Sequence, residues 1–144
     1  MTEPSRLTQL KDGGSTSPYF GLLGIEVAEL GKGWAELRMK VDPRKHHHGG
    51  GVVQGGAIAT IADASVAYAL MTTTAPEQTV VTVEIKLNYL APVKDGLLTS
   101  RAQIVHRGRR IALGEMEVRN DGNLVAKGLA TFMIVDRVEA PASS

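Results

Sequence analysis

The chain has 144 residues, a formal net charge of +1 and no cysteine. Its length corresponds to one domain, and its near-neutral charge gives no general attraction to nucleic acid or to an anionic membrane. The absence of cysteine excludes disulfides and a thiol nucleophile. No apolar run reaches the ~20 residues that cross a bilayer, and the first residues lack the apolar core of a signal peptide. We therefore expect a cytoplasmic protein that binds neither nucleic acid nor membrane.

The two ends of the chain differ in composition from the middle. Residues 1–18 contain several Ser, Thr, Gly and Pro residues. They form either a short helix or a loose chain, and we assign them to a flexible N-terminal segment. Residues 137–144 end in Pro-Ala-Ser-Ser and are assigned to a flexible C-terminal tail. No repeat or linker divides residues 19–136, which we expect to form one folded domain.

Two strands and a long helix are predicted in the first half of the domain. Gly24–Leu30 and Trp34–Asp42 flank a Gly-Lys-Gly turn. An Ala-rich helix is predicted over Gly55–Thr73, ending before Pro76. Because this helix is apolar nearly all round, it must be buried.

The second half of the domain contains four strand-like runs joined by short connections, which favour antiparallel pairing. They are Thr79–Leu90, Leu97–His106, Arg110–Arg119 and Leu124–Val135. In the first run, apolar residues at odd positions from Val81 to Tyr89 alternate with polar ones, which predicts that Thr82 faces away from the helix. The element order predicts an α+β domain whose antiparallel sheet wraps around one long central helix.

Asp63 is the single charged side chain of the apolar segment between Gly55 and Pro76. A lone carboxylate in apolar surroundings is costly unless it is hydrogen-bonded or serves a reaction. Burial would raise its pKa toward the range of a general base. The predicted start of the helix, at Gly55 and Gly56, offers N–H groups without intrahelical partners, which suit a developing negative charge.

These features resemble the hotdog-fold acyl-CoA thioesterases related to the phenylacetate-degradation thioesterase. The family pattern is Asn-x-x-Gly-x-x-His-Gly-Gly, with an Asp or Glu nine residues after the His. This chain reads His48-x-x-Gly51-x-x-Gln54-Gly55-Gly56, with Asp63 nine residues after Gln54. Further matches are Tyr89-Leu90-Ala91-Pro92, the turn at His106–Arg110 and the run Leu124–Phe132.

The resemblance implies a hydrolase for small or medium, or aromatic, acyl-CoA thioesters. Asp63 would act as general base or as nucleophile, and the Gly55 N–H, beside Gly56, would polarise the thioester carbonyl. His48 and Gln54 would supply further donors. They replace the usual Asn and His, and neutral Gln cannot shuttle a proton. Thr82 corresponds to a family Ser or Thr that orients the attacking water.

Arg107, Gly108, Arg109 and Arg110 form the densest basic cluster of the chain. In the family, such a turn meets the phosphates of coenzyme A, and arginine suits phosphate because its planar group donates two parallel hydrogen bonds. The alternative is a solvated, positively charged turn. Coenzyme A enters only as part of the substrate, so we expect no separate cofactor.

The run His46–His48 invites a metal interpretation, but consecutive side chains in an extended loop point in different directions. Metal sites usually draw their ligands from separated positions. We therefore predict no metal site.

Two other functions stay open at this point. One is an acyl-thioester dehydratase or hydratase on the same fold, and the other is a non-catalytic acyl-CoA-binding protein. The resemblance also implies a homodimer or a homotetramer built as a dimer of dimers. In that assembly the loop of one chain would meet Asp63 of the other.

Overall fold

The computed structural model describes residues 2–138. Its helices are α1 (Arg6–Ser15), α2 (Pro18–Leu23), α3 (Pro43–His46) and α4 (Gly55–Met71). Its strands are β1 (Ile25–Gly31), β2 (Trp34–Lys40), β3 (Gln78–Tyr89), β4 (Leu97–Arg107), β5 (Ile111–Asn120) and β6 (Asn123–Asp136). The long helix and the six strands predicted from the sequence are all present, with ends that differ by a few residues.

All six strands form one antiparallel sheet in the order β1-β2-β4-β5-β6-β3. Helix α4 packs against β2, β4, β5 and β3. The predicted α+β arrangement of a sheet around one central helix is therefore confirmed. Among residues 2–138, strand β3 pairs only with β6, so its other edge is unpaired in the described part of the chain.

The core lies between α4 and the inner face of the sheet. Ala35, Leu37 and Met39, at alternate positions of β2, are fully buried, as a half-buried strand requires. Ser65 of α4 and Ser100 of β4 are also fully buried, and their hydroxyls hydrogen-bond at 2.7 Å. This bond satisfies two buried polar groups and fixes the helix against the middle of the sheet.

The alternation predicted for β3 is wrong in the first half of the strand. Thr82 pairs with Phe132 of β6, and the next pair skips Val83, which is an extra residue in a β-bulge. Paired residues share a face, and Phe132 is buried, so Thr82 faces the helix. Val81 and Val83 are 46% and 56% exposed. The sequence pattern assumed an uninterrupted strand, and one inserted residue reverses the faces.

The N-terminal segment contains a short helix, which was one of its two predicted alternatives. Residues 6–15, assigned to a flexible segment, form α1, whose first turn is capped by Ser5 accepting a hydrogen bond from the Thr8 N–H at 3.2 Å. Leu10 is buried, and α1 packs against β1. Gly14 permits this packing, because a Cβ there would lie 2.5 Å from a methyl group of Val27.

Most of the predicted C-terminal tail, residues 139–144, lies outside the described residues. Across residues 2–138, none of the helices has both the length and the hydrophobicity that a membrane span requires.

Candidate active site

The carboxylate of Asp63 lies on the side of α4 that faces β3 and is partly buried. The hydroxyl of Thr82 donates a hydrogen bond to Asp63 Oδ1 at 2.8 Å. Burial raises the pKa of Asp63 above its ordinary value, and the Thr82 hydrogen bond opposes part of that rise. The result is a carboxylate of raised basicity that is held by one donor and still reaches solvent.

The position of Thr82 corrects the sequence prediction. Alternation placed its side chain away from the helix, whereas the bulge at Val83 turns it toward Asp63. The resemblance to the family identified Thr82 as a site residue, but the strand pattern alone would have rejected it. The contact is made within one chain.

The N-terminus of α4 presents a second set of polar groups. Gln54 occupies the N-cap position, and its exposed side chain makes no capping hydrogen bond. In the part of the chain that the structure describes, the N–H groups of Gly55 and Gly56 donate to no protein acceptor. They lie at the positive end of the helix dipole, where a polarised carbonyl oxygen is stabilised.

Tyr89 is a site residue whose contact the sequence analysis did not anticipate. Its hydroxyl donates to the carbonyl oxygen of Gly55 at 2.7 Å, and its ring lies about 3.4 Å from where a Gly55 Cβ would be. Tyr89 therefore joins the end of β3 to the start of α4. The Tyr-x-x-Pro motif that ends at Pro92 was the available signal for it.

Gly55 and Asp63 are far apart within one chain. Eight residues separate them on a continuous helix, which at ~1.5 Å per residue corresponds to about 12 Å along the axis. A base and an oxyanion donor must both lie about 3 Å from the reacting group. One chain therefore cannot apply its own Gly55 N–H and its own Asp63 to the same thioester.

The His48 ring is held within its own loop. Its Nδ1 accepts a hydrogen bond from the Gly50 N–H at 2.8 Å, so a neutral ring carries its proton on Nε2. Within one chain, neither His48 nor Gln54 hydrogen-bonds to Asp63. The structure thus brings Thr82 to Asp63 and leaves the loop residues near the other end of the site.

The three consecutive histidines have separate partners. Buried His46 accepts the Asp42 N–H on Nδ1 at 2.9 Å and contacts the Leu23 carbonyl through Nε2 at 2.8 Å. His47 contacts the Lys94 carbonyl at 2.6 Å. Over residues 2–138, no group of three His, Cys, Asp or Glu side chains has the geometry of a metal site.

The basic turn between β4 and β5 divides into two parts. Arg107 Nε donates to Thr73 Oγ1 at 3.0 Å, which attaches the turn to the C-terminal end of α4. Gly108 is required by the turn, because a Cβ there would lie 2.6 Å from the Ile111 carbonyl oxygen. Arg109 and Arg110 are exposed and line a cleft of about 260 Å³ that also contains Asp136.

The chain is similar in sequence and structure to known thioesterases. The sequence model of the thioesterase superfamily matches residues 50–127. The 1,4-dihydroxy-2-naphthoyl-CoA hydrolase of Listeria monocytogenes is 27% identical over 99 residues, which cover 69% of this chain and 80% of that protein. A thioesterase from Haemophilus influenzae superposes with a TM-score of 0.82 at 28% identity, covering 96% of each chain.

A mutant of the phenylacetic acid degradation protein PaaI from Thermus thermophilus superposes with a TM-score of 0.74 at 28% identity, covering 81% of this chain and 98% of that chain. The chain therefore belongs to the thioesterase superfamily and has its hotdog fold. The resemblance to the phenylacetate-degradation thioesterase is confirmed, and the protein is an enzyme of thioester hydrolysis.

Proposed function

We propose that this protein hydrolyses small or medium, or aromatic, acyl-CoA thioesters to the free acid and coenzyme A. The observation that carries the proposal is the partly buried Asp63, whose pKa is raised and whose Oδ1 is held by Thr82. The hydrolase from Listeria, named for an aromatic acyl-CoA, supports the substrate class.

Two chemical routes fit Asp63. As a general base, the carboxylate takes a proton from water, and the resulting hydroxide attacks the thioester carbon; the C–S bond then breaks, and the departing coenzyme A thiolate takes up the proton. As a nucleophile, the carboxylate attacks that carbon itself and expels the coenzyme A thiolate, which leaves a mixed anhydride that water then hydrolyses. In both routes the Gly55 N–H stabilises the carbonyl oxygen as it becomes negative, and His48 and Gln54 orient the thioester.

We propose further that the site is built from two chains. Strand β3 has a free edge, and a two-fold axis would pair two such edges antiparallel. Tyr89 contacts Gly55, and Thr82 contacts Asp63. A register that sets Tyr89 of one chain near Thr82 of the other would therefore bring Gly55 to the Asp63 of the partner subunit. A homodimer satisfies this requirement, and a homotetramer would contain it twice.

Antiparallel pairing also gives the basic turn a role. Arg109 and Arg110 lie beside Gln78, at the start of β3, whereas Gly55 lies beside its end. In the proposed dimer, these arginines would lie toward the Gly55 end of the partner's site. There they would bind phosphates of coenzyme A while Arg107 keeps the turn attached to α4.

A cytoplasmic location remains a prediction from the sequence.

The proposal is tested by thiol release from a panel of acyl-CoAs, from acetyl to palmitoyl, with phenylacetyl- and benzoyl-CoA. Asp63→Asn should lower kcat by about two to four orders of magnitude, because the amide can serve as neither base nor nucleophile. Its Tm should not fall: the raised pKa of Asp63 means that folding disfavours the ionised carboxylate at neutral pH.

The matched control is Asp12→Asn, which removes an exposed carboxylate on α1 and should leave kcat unchanged. Undiminished turnover by Asp63→Asn would contradict the assignment of Asp63. Tight binding of coenzyme A without turnover of any thioester would instead indicate the non-catalytic binding protein.

A further inference from the structure

A cleft of about 570 Å³ lies between α1, the C-terminal part of α4 and the start of β3. Two guanidinium groups, those of Arg6 and Arg137, line it together with Tyr68, Met71 and Thr79. Neither arginine takes part in the site described above. The cleft therefore contains positive charge that the proposed reaction leaves unexplained.

Arg6 is partly buried and incompletely hydrogen-bonded. Its Nη2 donates to Thr74 Oγ1 at 3.4 Å, but its buried Nε has no hydrogen-bond partner among residues 2–138. Burial and the nearby charge of Arg137 lower the pKa of Arg6, and Glu77 opposes this effect. A buried guanidinium N–H without an acceptor is costly, and a bound anion would provide that acceptor.

The other polar groups of the cleft can also reach an anion. Arg137 donates from Nε to the Pro76 carbonyl at 2.9 Å, while the rest of its side chain is exposed. The Tyr68 hydroxyl makes no hydrogen bond within residues 2–138. Among the same residues, neither arginine forms an ion pair. Within the part of the chain that the structure describes, Glu77 is the carboxylate that acts on Arg6, and the two guanidinium groups outnumber it.

Helix α4 connects the cleft to Asp63. Asp63 and Met71 are eight positions apart on α4 and share a helix face, at a separation of about 12 Å along the axis. Because Met71 lines the cleft, this face of α4 leads from Asp63 to the arginines.

We propose that this cleft binds the far end of the acyl chain and that Arg6 and Arg137 bind a carboxylate at that end. The preferred substrates are then ω-carboxyacyl thioesters, in which one carboxyl group of a dicarboxylic acid is esterified and the other is free. This inference rests on the proposed function, because it concerns the acyl group of the same thioester substrate: the thioester lies at Asp63, and the far end of the acyl chain lies in the cleft.

The test compares kcat/KM for suberyl-CoA and octanoyl-CoA, which have the same chain length and differ by the terminal carboxylate. The variants are Arg6→Met and Arg137→Met, so that failure of one to fold leaves the other. Each should lower kcat/KM for suberyl-CoA by about ten- to a hundredfold, the range for a lost hydrogen bond to a charged group, and leave octanoyl-CoA nearly unchanged. The control is Lys11→Met, which removes an exposed charge on α1 outside the cleft.

Equal losses for both substrates would overturn the inference, because the arginines would then act on the coenzyme or on the fold. Unchanged kinetics for both would also overturn it. Calorimetric binding of the same two thioesters to Asp63→Asn, with and without Arg6→Met, separates the two proposals. If no thioester is hydrolysed, the proposed function fails, but a selective loss of suberyl-CoA binding still supports the carboxylate site. An equal loss, or none, contradicts it.

Discussion

At the scale of single residues, the pair formed by Asp63 and Thr82 determines the protonation behaviour of the site. Burial raises the pKa of the carboxylate, and the hydrogen bond from the Thr82 hydroxyl stabilises its charged form. A carboxylate in this environment is a stronger base than the carboxylate of an exposed Asp. The acid limb of the pH–rate profile should therefore report the pKa of Asp63.

Thr82→Val should shift that acid limb to higher pH. Removing the donor destabilises the carboxylate, so the pKa of Asp63 rises further, and activity is lost at a higher pH as the solution is acidified. The measurement is kcat/KM against pH. Thr82→Ser keeps the hydroxyl and is the control, and it should keep the wild-type profile. A shift to lower pH in Thr82→Val would contradict this account of the pair.

These two residues differ in how far the sequence predicts them. Asp63 is identified by its isolation in an apolar helix, which is a local property of the sequence. The orientation of Thr82 depends on the bulge at Val83, and that bulge arises from the pairing of β3 with β6. Tyr89 likewise meets Gly55 only through the tertiary fold. The alternation of apolar and polar residues along one strand does not reveal contacts with residues that are distant in sequence.

At the scale of secondary structure elements, α4 carries two separated parts of the chemistry. Its N-terminus offers free N–H groups, and its middle carries Asp63 two turns later. The spacing that keeps the two groups apart in one chain is the reason for the proposal that a second chain completes the site. The turn between β4 and β5 serves the other end of the helix, where Arg107 binds Thr73.

The basic turn leads to a prediction that separates its arginines. Arg107→Ala should lower Tm, because it removes the hydrogen bond to Thr73 at the end of α4. Arg109→Ala and Arg110→Ala should leave Tm unchanged and raise KM for acyl-CoA, because both side chains are exposed and free to bind phosphate. Thermal unfolding and kinetics measure the two effects. An acyl thioester of N-acetylcysteamine, which lacks phosphate, is the control.

A rise in KM for that phosphate-free thioester, equal to the rise for acyl-CoA, would contradict phosphate binding by Arg109 and Arg110.

The helices and strands of the domain were largely predictable from the sequence, because α4 and the strands show clear apolar patterns. The sequence left both a short helix and a loose chain open for the N-terminal segment, because two glycines weaken the helix propensity of α1 and its stability comes from packing on β1.

At the scale of the whole molecule, two observations on residues 2–138 support the proposed second copy of the chain: the unpaired edge of β3 and the distance between Gly55 and Asp63. The α+β class and the central helix followed from the order of the elements. The order of the strands in the sheet could be predicted only in part, because β3 pairs with β6, and these are the first and last strands of the second half of the domain. Assembly involves residues of another chain, and no pattern within one sequence defines them.

Dilution should reduce the specific activity of the wild-type enzyme. If each site combines Gly55 of one chain with Asp63 of the other, monomers formed below the dissociation constant of the dimer are inactive. Activity per chain should follow the dimer fraction measured by light scattering or mass photometry. Full specific activity in a solution shown to contain only monomers would contradict a shared site.

The most direct test of the central claim is complementation between two inactive variants. Asp63→Asn removes the base. Gly55→Pro removes the N–H at the first position of α4, where proline is well tolerated, and the extended backbone of Gln54 is compatible with a following proline. Each variant alone should be nearly inactive.

In a heterodimer of the two, shared sites place an intact Gly55 opposite an intact Asp63 once per dimer. Co-refolding equal amounts should therefore restore thiol release toward half the wild-type rate per heterodimer. If each chain instead used its own Gly55 and Asp63, every site would carry one defect and the mixture would stay inactive. That second result would contradict the two-chain active site.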